Sequence, residues 1–552
     1  MMNTQVVLVG LYRYLNIPTR ILHPTNDQLD GVNAHTIFYK NYAANKFNLP
    51  TKEEEEIFVD VIKKLNPKLV GISLLSPYVE IAKRLTYLIK KNTSALVIWG
   101  GVGPTITPDD HIKYTDMICV GEGERAFEEL TKAVRDGEDY KKIKNLWIND
   151  GSKIIKNPLG PLVQDLDSLP FYEYGNDNYY FIEGNKLTKE DPELDNHELM
   201  LQSSRGCPYS CSFCIETMYH DLHKGLGKFV RRRTVDNTIK EIQWHFNKKD
   251  NKKKYIYFID EVFGSNAPWI DEFSIRYKNE INKPFSVLYH PKTLKPRIIE
   301  KLNHAGVNMI MFGIQTGSDY IRNKIYERPG TNAEVIELVH EITNINKNIK
   351  IRYDMILDND FETKETLKEC VDLILHLPKP VLFNLFSLKH FPGYPLTKKA
   401  IEAGHVTEEE VGDWPEQIKS TTENWKYKPR WIKRKKTRTK QLQRLNNIIW
   451  LMCWNHASDQ VVKYGVFGKS IGSRIVFHYL NIKACLLGTI IGGDANNHSR
   501  WHYLFYTNKW SAYPLQALKL IFTGNLKQLS LKLNRIWLRS VMKSSVKWNN
   551  LY

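Results

Sequence analysis

Cysteine is scarce in this chain, with seven in 552 residues. So few thiols exclude a disulfide-stapled scaffold and fit a reducing compartment, where clustered cysteines bind metal more often than they pair. No secretory leader is expected either: Met1 to Gly10 passes from polar residues straight into a short apolar strand, with no basic start. Long apolar runs are missing too. The most apolar stretch, Ala484 to Ile491, is far shorter than the roughly 20 residues that cross a bilayer. The expectation is a cytoplasmic protein, peripheral at the inner membrane surface if it meets a membrane at all. Acids are depleted in one region only. Residues 421–552 hold 23 Lys and Arg against Glu423, Asp459 and Asp494, while the remainder has 55 basic and 58 acidic residues. The formal charge of +17 therefore belongs to the C-terminal segment and speaks about its partner, not about the chemistry of the rest.

What is present is ordinary globular composition, 42% hydrophobic and 25% charged, in a chain long enough for several cores. Against that background one cluster stands out. Cys207, Cys211 and Cys214 lie within Gly-Cys-Pro-Tyr-Ser-Cys-Ser-Phe-Cys, residues 206–214; Cys119, Cys370, Cys453 and Cys485 read as core. Three explanations compete. Positions i, i+4 and i+7 share a helix face, which would make a buried stripe, but Gly206, Pro208, Ser210 and Ser212 suit a helix interior poorly. Structural zinc wants four ligands, and His220 or His223 would complete Cys3His. An iron-sulfur cube takes one outside ligand per iron, so three cysteines leave one iron open to a small molecule.

The run Cys-Pro-Tyr-Ser-Cys-Ser-Phe-Cys, with Phe213 before the last cysteine, resembles the signature loop of the radical S-adenosylmethionine (radical SAM) enzymes. The resemblance implies a [4Fe-4S] cluster on Cys207, Cys211 and Cys214, with SAM chelating the open iron. It also implies that one electron from an external donor cleaves SAM to methionine and a deoxyadenosyl radical.

Residues 5–140 alternate short apolar runs with amphipathic ones. Strands are expected at Gln5 to Gly10, Leu69 to Leu75, Ala95 to Trp99 and Met117 to Val120, and a helix at Val79 to Lys90, in the pattern of an open parallel sheet. Ligands of such sheets sit beyond the carboxyl ends of the strands, where Gly100 to Thr105 and Gly121 to Glu124 fall. In order, Gly-Ile-Ser-Leu-Leu, Trp-Gly-Gly-Val-Gly-Pro-Thr and Val-Gly-Glu-Gly-Glu-Arg resemble the Rossmann-like, flavodoxin-like cobalamin-binding domain of a large radical SAM subgroup. That resemblance implies cobalamin contacts from Ser73, Gly100, Gly101, Thr105, Gly121 and Glu122. The Asp-x-His-x-x-Gly pattern that lends histidine to cobalt elsewhere is absent, and His23 and His35 lack its context.

Residues 141–196 read as a linker with a hairpin at Asn149-Asp150-Gly151-Ser152, and Phe181 to His197 as a loop over the active face. From 197 to 392 six strands are expected, beginning near Leu199, Tyr255, Phe285, Val307, Ile349 and Val381, separated by helices. This is a partial (β/α)6 barrel with chemistry at the carboxyl ends of its strands. Asp260 and Glu261 end the second strand, and Gly313, Gln315 and Ser318 lie in a segment similar to the family's Gly-x-Glu-Ser-Gly-Ser. With Phe213 these are the SAM residues the resemblance implies, although Gln315 replaces the usual glutamate. Tyr353 and Asp354 on the fifth strand are the candidate catalytic residues.

Residues 393–552 form a basic, mostly helical region; its last part, 421–552, holds eight of the 13 tryptophans. Arg535, Arg539, Lys543 and Lys547 recur along one helix face with apolar residues elsewhere, which fits a lipid surface better than nucleic acid. Taken together, the sequence reads as a cobalamin-dependent radical SAM enzyme that methylates an unactivated carbon of a small-molecule or lipid-linked substrate. Cyclisation or rearrangement without methyl transfer is the runner-up. A non-catalytic, metal-stapled scaffold with an RNA- or membrane-binding tail is the rival of another class.

Overall fold

The computed structural model describes residues 3–41, 49–248, 251–412 and 440–491. Its first layer is a sheet whose parallel core consists of β1 (Thr4–Leu11), β2 (Val32–Tyr39), β3 (Leu69–Ser73), β4 (Leu96–Gly100) and β5 (Met117–Cys119). These strands are ordered β2-β1-β3-β4-β5, the flavodoxin-like arrangement, with β1 in register from Thr4 against Val32 on one side and from Val6 against Leu69 on the other. The strands are apolar on both faces because helices cover both. Phe58, Leu85 and Ile89 pack on one face and Phe127 and Leu130 on the other.

Two antiparallel hairpins extend this sheet. The expected hairpin forms β6 (Leu146–Asn149) and β7 (Ile154–Lys156) beside β5. The stretch read as a loop over the active face instead contributes β8 (Tyr179–Glu183) and β9 (Lys186–Thr188) beside β2. The apolar residues of β8, Tyr179-Tyr180-Phe181-Ile182, which begin two positions before that stretch, are buried, and Tyr179 and Phe181 pack on Phe38. Residues 141–196 thus close both edges of the first sheet.

The second sheet has six parallel strands in chain order: β10 (Glu198–Leu201), β13 (Tyr255–Phe258), β14 (Phe285–Tyr289), β15 (Val307–Gln315), β16 (Lys350–Leu357) and β17 (Leu382–Ser387). A short antiparallel ribbon, β11 (Ser204–Arg205) with β12 (Arg231–Arg232), brackets the cysteine loop. This is the expected half-barrel. Helices such as Val235–Phe246, Pro296–Ala305, Asn332–Ile345 and Lys364–His376 cross between the strands. Side chains facing them are fully buried, while alternate positions are only half-buried, as in β16, where Tyr353, Met355 and Leu357 alternate with Arg352, Asp354 and Ile356.

The C-terminal region is helical where it is described: Lys440–Cys453, Asp459–Phe467 and Ile471–Ile491. Asn455 ties it to the barrel by bonding both the N–H and the C=O of Val381, at 3.1 and 2.8 Å. The basic helix expected at 533–547 lies outside the described residues. No helix among the described residues is long and apolar enough to cross a membrane.

Candidate active site

The three cysteines sit in a loop, not a helix, which removes the buried-stripe reading; the next helix begins at Ile215. The loop is fixed by its backbone. Cys214 N–H donates to Cys211 O at 2.9 Å, Thr217 Oγ1 to the same carbonyl at 2.8 Å, and Ser212 is tied through N–H and Oγ to Tyr326 O and Ile325 O. Among the described residues no three His, Cys, Asp or Glu side chains are grouped to hold a single ion, and His223 Nδ1 is engaged with Tyr219 O at 2.8 Å. Burial, with smaller contributions from the neighbouring cysteines and carboxyls, pushes the Cys207 thiol up to about 11 and Cys214 to about 12. Such thiols become thiolates only when a metal replaces their protons. Nη1 of the buried Arg328 guanidinium donates to Cys211 Sγ at 3.5 Å, a hydrogen bond suited to a thiolate. The donor set fits an iron-sulfur cluster held at three corners.

A cavity of about 780 Å³ opens where the strand order of the first sheet reverses, between β1 and β3. Its walls come from both layers. Ser73, Gly100, Gly101, Gly121 and Glu122 line it from the first sheet; Arg205, Gly206, Glu216, Tyr219, His223, Arg231 and Glu261 line it from around the cysteine loop. Four polar atoms of its lining are buried without a hydrogen-bond partner: Glu124 Oε2, His223 Nε2, Glu216 Oε2 and Glu261 Oε2. Orphaned donors and acceptors of this kind are what a bound ligand satisfies, and the volume lies within the range of cofactor pockets. The cavity therefore fits cobalamin and the polar end of SAM.

The residues expected to bind cobalamin divide. Ser73 and Gly100 border open space. Gly101, at φ +99, is required by chain packing, since a Cβ there would lie 2.6 Å from Leu74 O; at Gly121 (φ +86) it would meet His223 Nε2 at 2.7 Å. Thr105 does not line the cavity. Its Oγ1 donates to Gly101 O at 2.8 Å and accepts from Gly121 N–H at 3.1 Å, pinning the two glycine turns together. Glu122 accepts from Arg231 Nη1 at 2.8 and 2.9 Å, from Arg205 at 3.2 Å and from Val163 N–H at 2.8 Å. Both its oxygens are engaged in joining the first sheet to the β11–β12 ribbon around the cysteine loop. His23 and His35 are buried on Thr36 and Gln5.

The expected SAM residues also divide. Asp260 is fully buried and accepts from Ser203 Oγ at 2.7 Å, from Ser203 N–H at 3.1 Å and from Ser204 Oγ. It braces the strand before the cysteine loop and does not reach the cavity. Its neighbour Glu261 points the other way, into the cavity, and burial together with Glu216 holds its carboxyl up to about 8. Burial raises Glu216 as well. Gln315 takes a left-handed φ of +61 at an irregularity in the β15 ladder and folds over Gly313, whose carbonyl accepts from Arg328 at 2.6 and 3.1 Å. Ser318 is buried with its N–H on Thr316, and Phe213 packs edge-on against Tyr326 at 4.9 Å.

Tyr353 and Asp354 separate across the strand. The Tyr353 ring contacts Phe312 and Phe383 in the helix-facing layer, so it is a core residue and does not face the site. Asp354 shares the opposite face with Ile356, which packs against the same buried cluster as Phe213 of the cysteine loop, and accepts from Asn384 Nδ2 at 2.9 Å. Along that face lie Glu198, Tyr257 and Arg352, which sequence reading missed. Arg352 opposes the upward push of burial on both Glu198 and Tyr257. The period-2 alternation of each strand was the available signal, but single half-buried polar residues among apolar ones carry little weight without knowing which face is concave. Also missed was Tyr209, whose ring stacks at 3.7 Å on His290.

Comparison with known proteins defines the class first. The Radical SAM superfamily model matches residues 201–370, and the B12 binding domain model matches residues 41–131. The chain thus carries a radical SAM domain preceded by a cobalamin-binding domain, and the cofactors are those of the two domains: a [4Fe-4S] cluster, SAM and cobalamin. It is 26% identical over 268 residues to an uncharacterized methyltransferase of Pyrococcus horikoshii, covering 47% of this chain and 54% of that protein. It is 25% identical over 333 residues to the anaerobic magnesium-protoporphyrin IX monomethyl ester cyclase of Cereibacter sphaeroides, covering 57% and 50%. The chain thus spans about half the length of these curated relatives. Its fold is similar to that of the radical SAM methyltransferase TsrM from Kitasatospora setae, solved with cobalamin and a [4Fe-4S] cluster: TM-score 0.58, 16% identity, 72% of this chain and 78% of the other. It is also similar to the cobalamin-dependent enzyme OxsB at TM-score 0.57 and 14% identity, covering 97% and 81%.

Proposed function

We propose that the protein is a cobalamin-dependent radical SAM methyltransferase that adds a methyl group to an unactivated carbon of a small-molecule or lipid-linked substrate. The observation that carries this reading is the single cavity shared by the switch-point loops and the cysteine loop's surroundings. When bound, the cluster, SAM and cobalamin supply an electron from an external donor, a hydrogen-abstracting radical and a transferable methyl group. The chain's own residues supply position. Cys207, Cys211 and Cys214 hold three corners, and Arg328 donates to Cys211 Sγ. Glu261, freed from the hydrogen bonds that occupy Asp260, is the carboxyl left to receive an ammonium group, and a cation there would favour its ionised form. Asp354, held by Asn384 and flanked by Arg352, is the substrate-side carboxylate. Apolar walls from Tyr12, Tyr78 and Phe229 limit water.

Methyl transfer is favoured by the methyltransferase names among the relatives; ring closure is the second reading because the match to the cyclase covers 57% of this chain, against 47% for the Pyrococcus horikoshii methyltransferase. The test is anaerobic reconstitution with iron, sulfide and cobalamin, then reduction with SAM deuterated in its methyl group. Deoxyadenosine together with deuterated methyl in the cofactor fraction is the expected result. Deoxyadenosine without label in that fraction favours the cyclase-type reaction, and neither product contradicts both.

A further inference from the structure

The C-terminal helices carry an apolar surface that the chemistry above does not use. Fifteen large hydrophobic side chains are exposed among the described residues, and seven of them, Val461, Tyr464, Phe467, Ile471, Ile475, Tyr479 and Ile482, fall within 22 consecutive positions. Ile471 is 77% and Ile475 64% exposed. The spacing is not scattered. Ile471, Ile475, Tyr479 and Ile482 follow one another at four, four and three residues along the helix Ile471–Ile491, the rhythm of a single face. Val461, Tyr464 and Phe467 do the same at three-residue spacing on Asp459–Phe467.

The two stripes are joined. Gly465 lets the helices close, since a Cβ there would meet Val476 at 3.0 Å and Leu480 at 3.3 Å. Tyr464 leans over Gly472 with its hydroxyl 3.0 Å from Ser470 Oγ. The buried sides of the same helices hold Val462, Val466, Leu480 and Ala484, so the pair already has its core, and the outward stripe is additional. Monomer surfaces seldom expose contiguous apolar area of this kind without a partner.

Charge selects the partner. Lys463, Lys469, Arg474 and His478 are exposed beside the stripe, and residues 460–491 contain no Asp or Glu. A protein docking partner or a second copy would set a basic, acid-free surface against itself or demand an acidic complement. An anionic bilayer satisfies both halves at once, taking isoleucine and phenylalanine below the headgroups, tyrosine at their level and the cations among the phosphates.

We propose that the exposed stripe from Val461 to Ile482 on the helices Asp459–Phe467 and Ile471–Ile491 is a docking surface for an anionic lipid bilayer. It lies upstream of the basic helix read from sequence at 533–547 and does not depend on the proposed reaction. It places the enzyme at the membrane face, and no helix among the described residues is long and apolar enough to span one.

The test uses the full-length holoprotein and co-sedimentation with vesicles of phosphatidylcholine alone or mixed with phosphatidylglycerol. Binding to the mixed vesicles, weakened by salt and at least about tenfold weaker on phosphatidylcholine alone, is expected, since each cation near an anionic surface adds roughly a factor of five. Ile475→Asp with Tyr479→Asp, and separately Lys469→Glu with Arg474→Glu, should each reduce binding at least about tenfold. Ile275→Asp, an exposed isoleucine elsewhere at 52%, should leave it unchanged. Melting curves of all variants should overlay the wild type; if the apolar pair unfolds, the charge pair decides alone. Wild-type-like binding by the charge pair, or no vesicle binding by the wild type, overturns the proposal. So does a concentration-dependent dimer lost in Ile475→Asp with Tyr479→Asp in place of vesicle binding, which would assign the surface to a second copy.

Discussion

The two parallel sheets of this molecule bury their strands differently, and the difference locates their ligands. In the first sheet β1 is buried at seven of eight positions because helices cover both faces, and the cavity opens at the end of the strands at the switch point. In the second, β16 alternates buried and half-buried residues because only its convex side is covered, leaving a concave polar face. A fully buried strand sends its ligand to the edge. A strand buried on one side offers the other.

The strongest test of this contrast is to disable one sheet's ligand and watch the other's. Cys211→Ala should bring bound iron and deoxyadenosine formation to background, a loss of at least about 100-fold, while cobalamin retention stays at wild-type level. Concerted loss of cobalamin would mean that the sites are one unit. Next in size is the seam. Glu122→Ala leaves Arg231 and Arg205 without their shared carboxylate, Arg231 with its side chain only 5% exposed, and should cost about 3 kcal/mol in denaturant unfolding. A change below about 0.5 kcal/mol would show that the seam carries no load.

Within β16 the contrast can be read at adjacent residues. Asp354→Asn should lower substrate-dependent deoxyadenosine formation by about tenfold or more, and Tyr353→Phe by less than about twofold. Equal effects would contradict the assignment of faces. The smallest effect concerns pH. Glu261 holds its proton up to about 8 in the folded chain against 4.5 unperturbed. The unfolded chain thus releases a proton that the folded chain keeps, and stability of the cofactor-free protein falls as pH climbs between those values. Glu261→Gln should flatten that decline in melting temperature; an unchanged slope would place its origin elsewhere.

These contrasts also show what was legible beforehand. The Cys207 to Cys214 spacing, the six barrel strands and the Gly100 and Gly121 turns are local features, set by short-range geometry, and they were readable. β8 was not, because its partner β2 lies far away in sequence and nothing local announces the pairing. Asp260 and Glu261 were legible as acids at a strand end, but which of two consecutive side chains faces the cavity depends on register, and the serines that occupy Asp260 come from the neighbouring strand's end. The same holds for Tyr353 and Asp354. Glycine carried two demands at once: Gly101 and Gly121 line the cavity, and their Cα positions also lie close against Leu74 and His223, which the sequence did not announce.

The measurement that bears most directly on the central claim is electron paramagnetic resonance of the anaerobically reconstituted, reduced protein, recorded before and after SAM is added. A [4Fe-4S]+ signal whose shape changes with SAM, and which is absent in Cys211→Ala, is the predicted result, because an iron held by only three thiolates takes SAM as its remaining ligand. A cluster signal indifferent to SAM, or tightly bound zinc in place of iron, would contradict it.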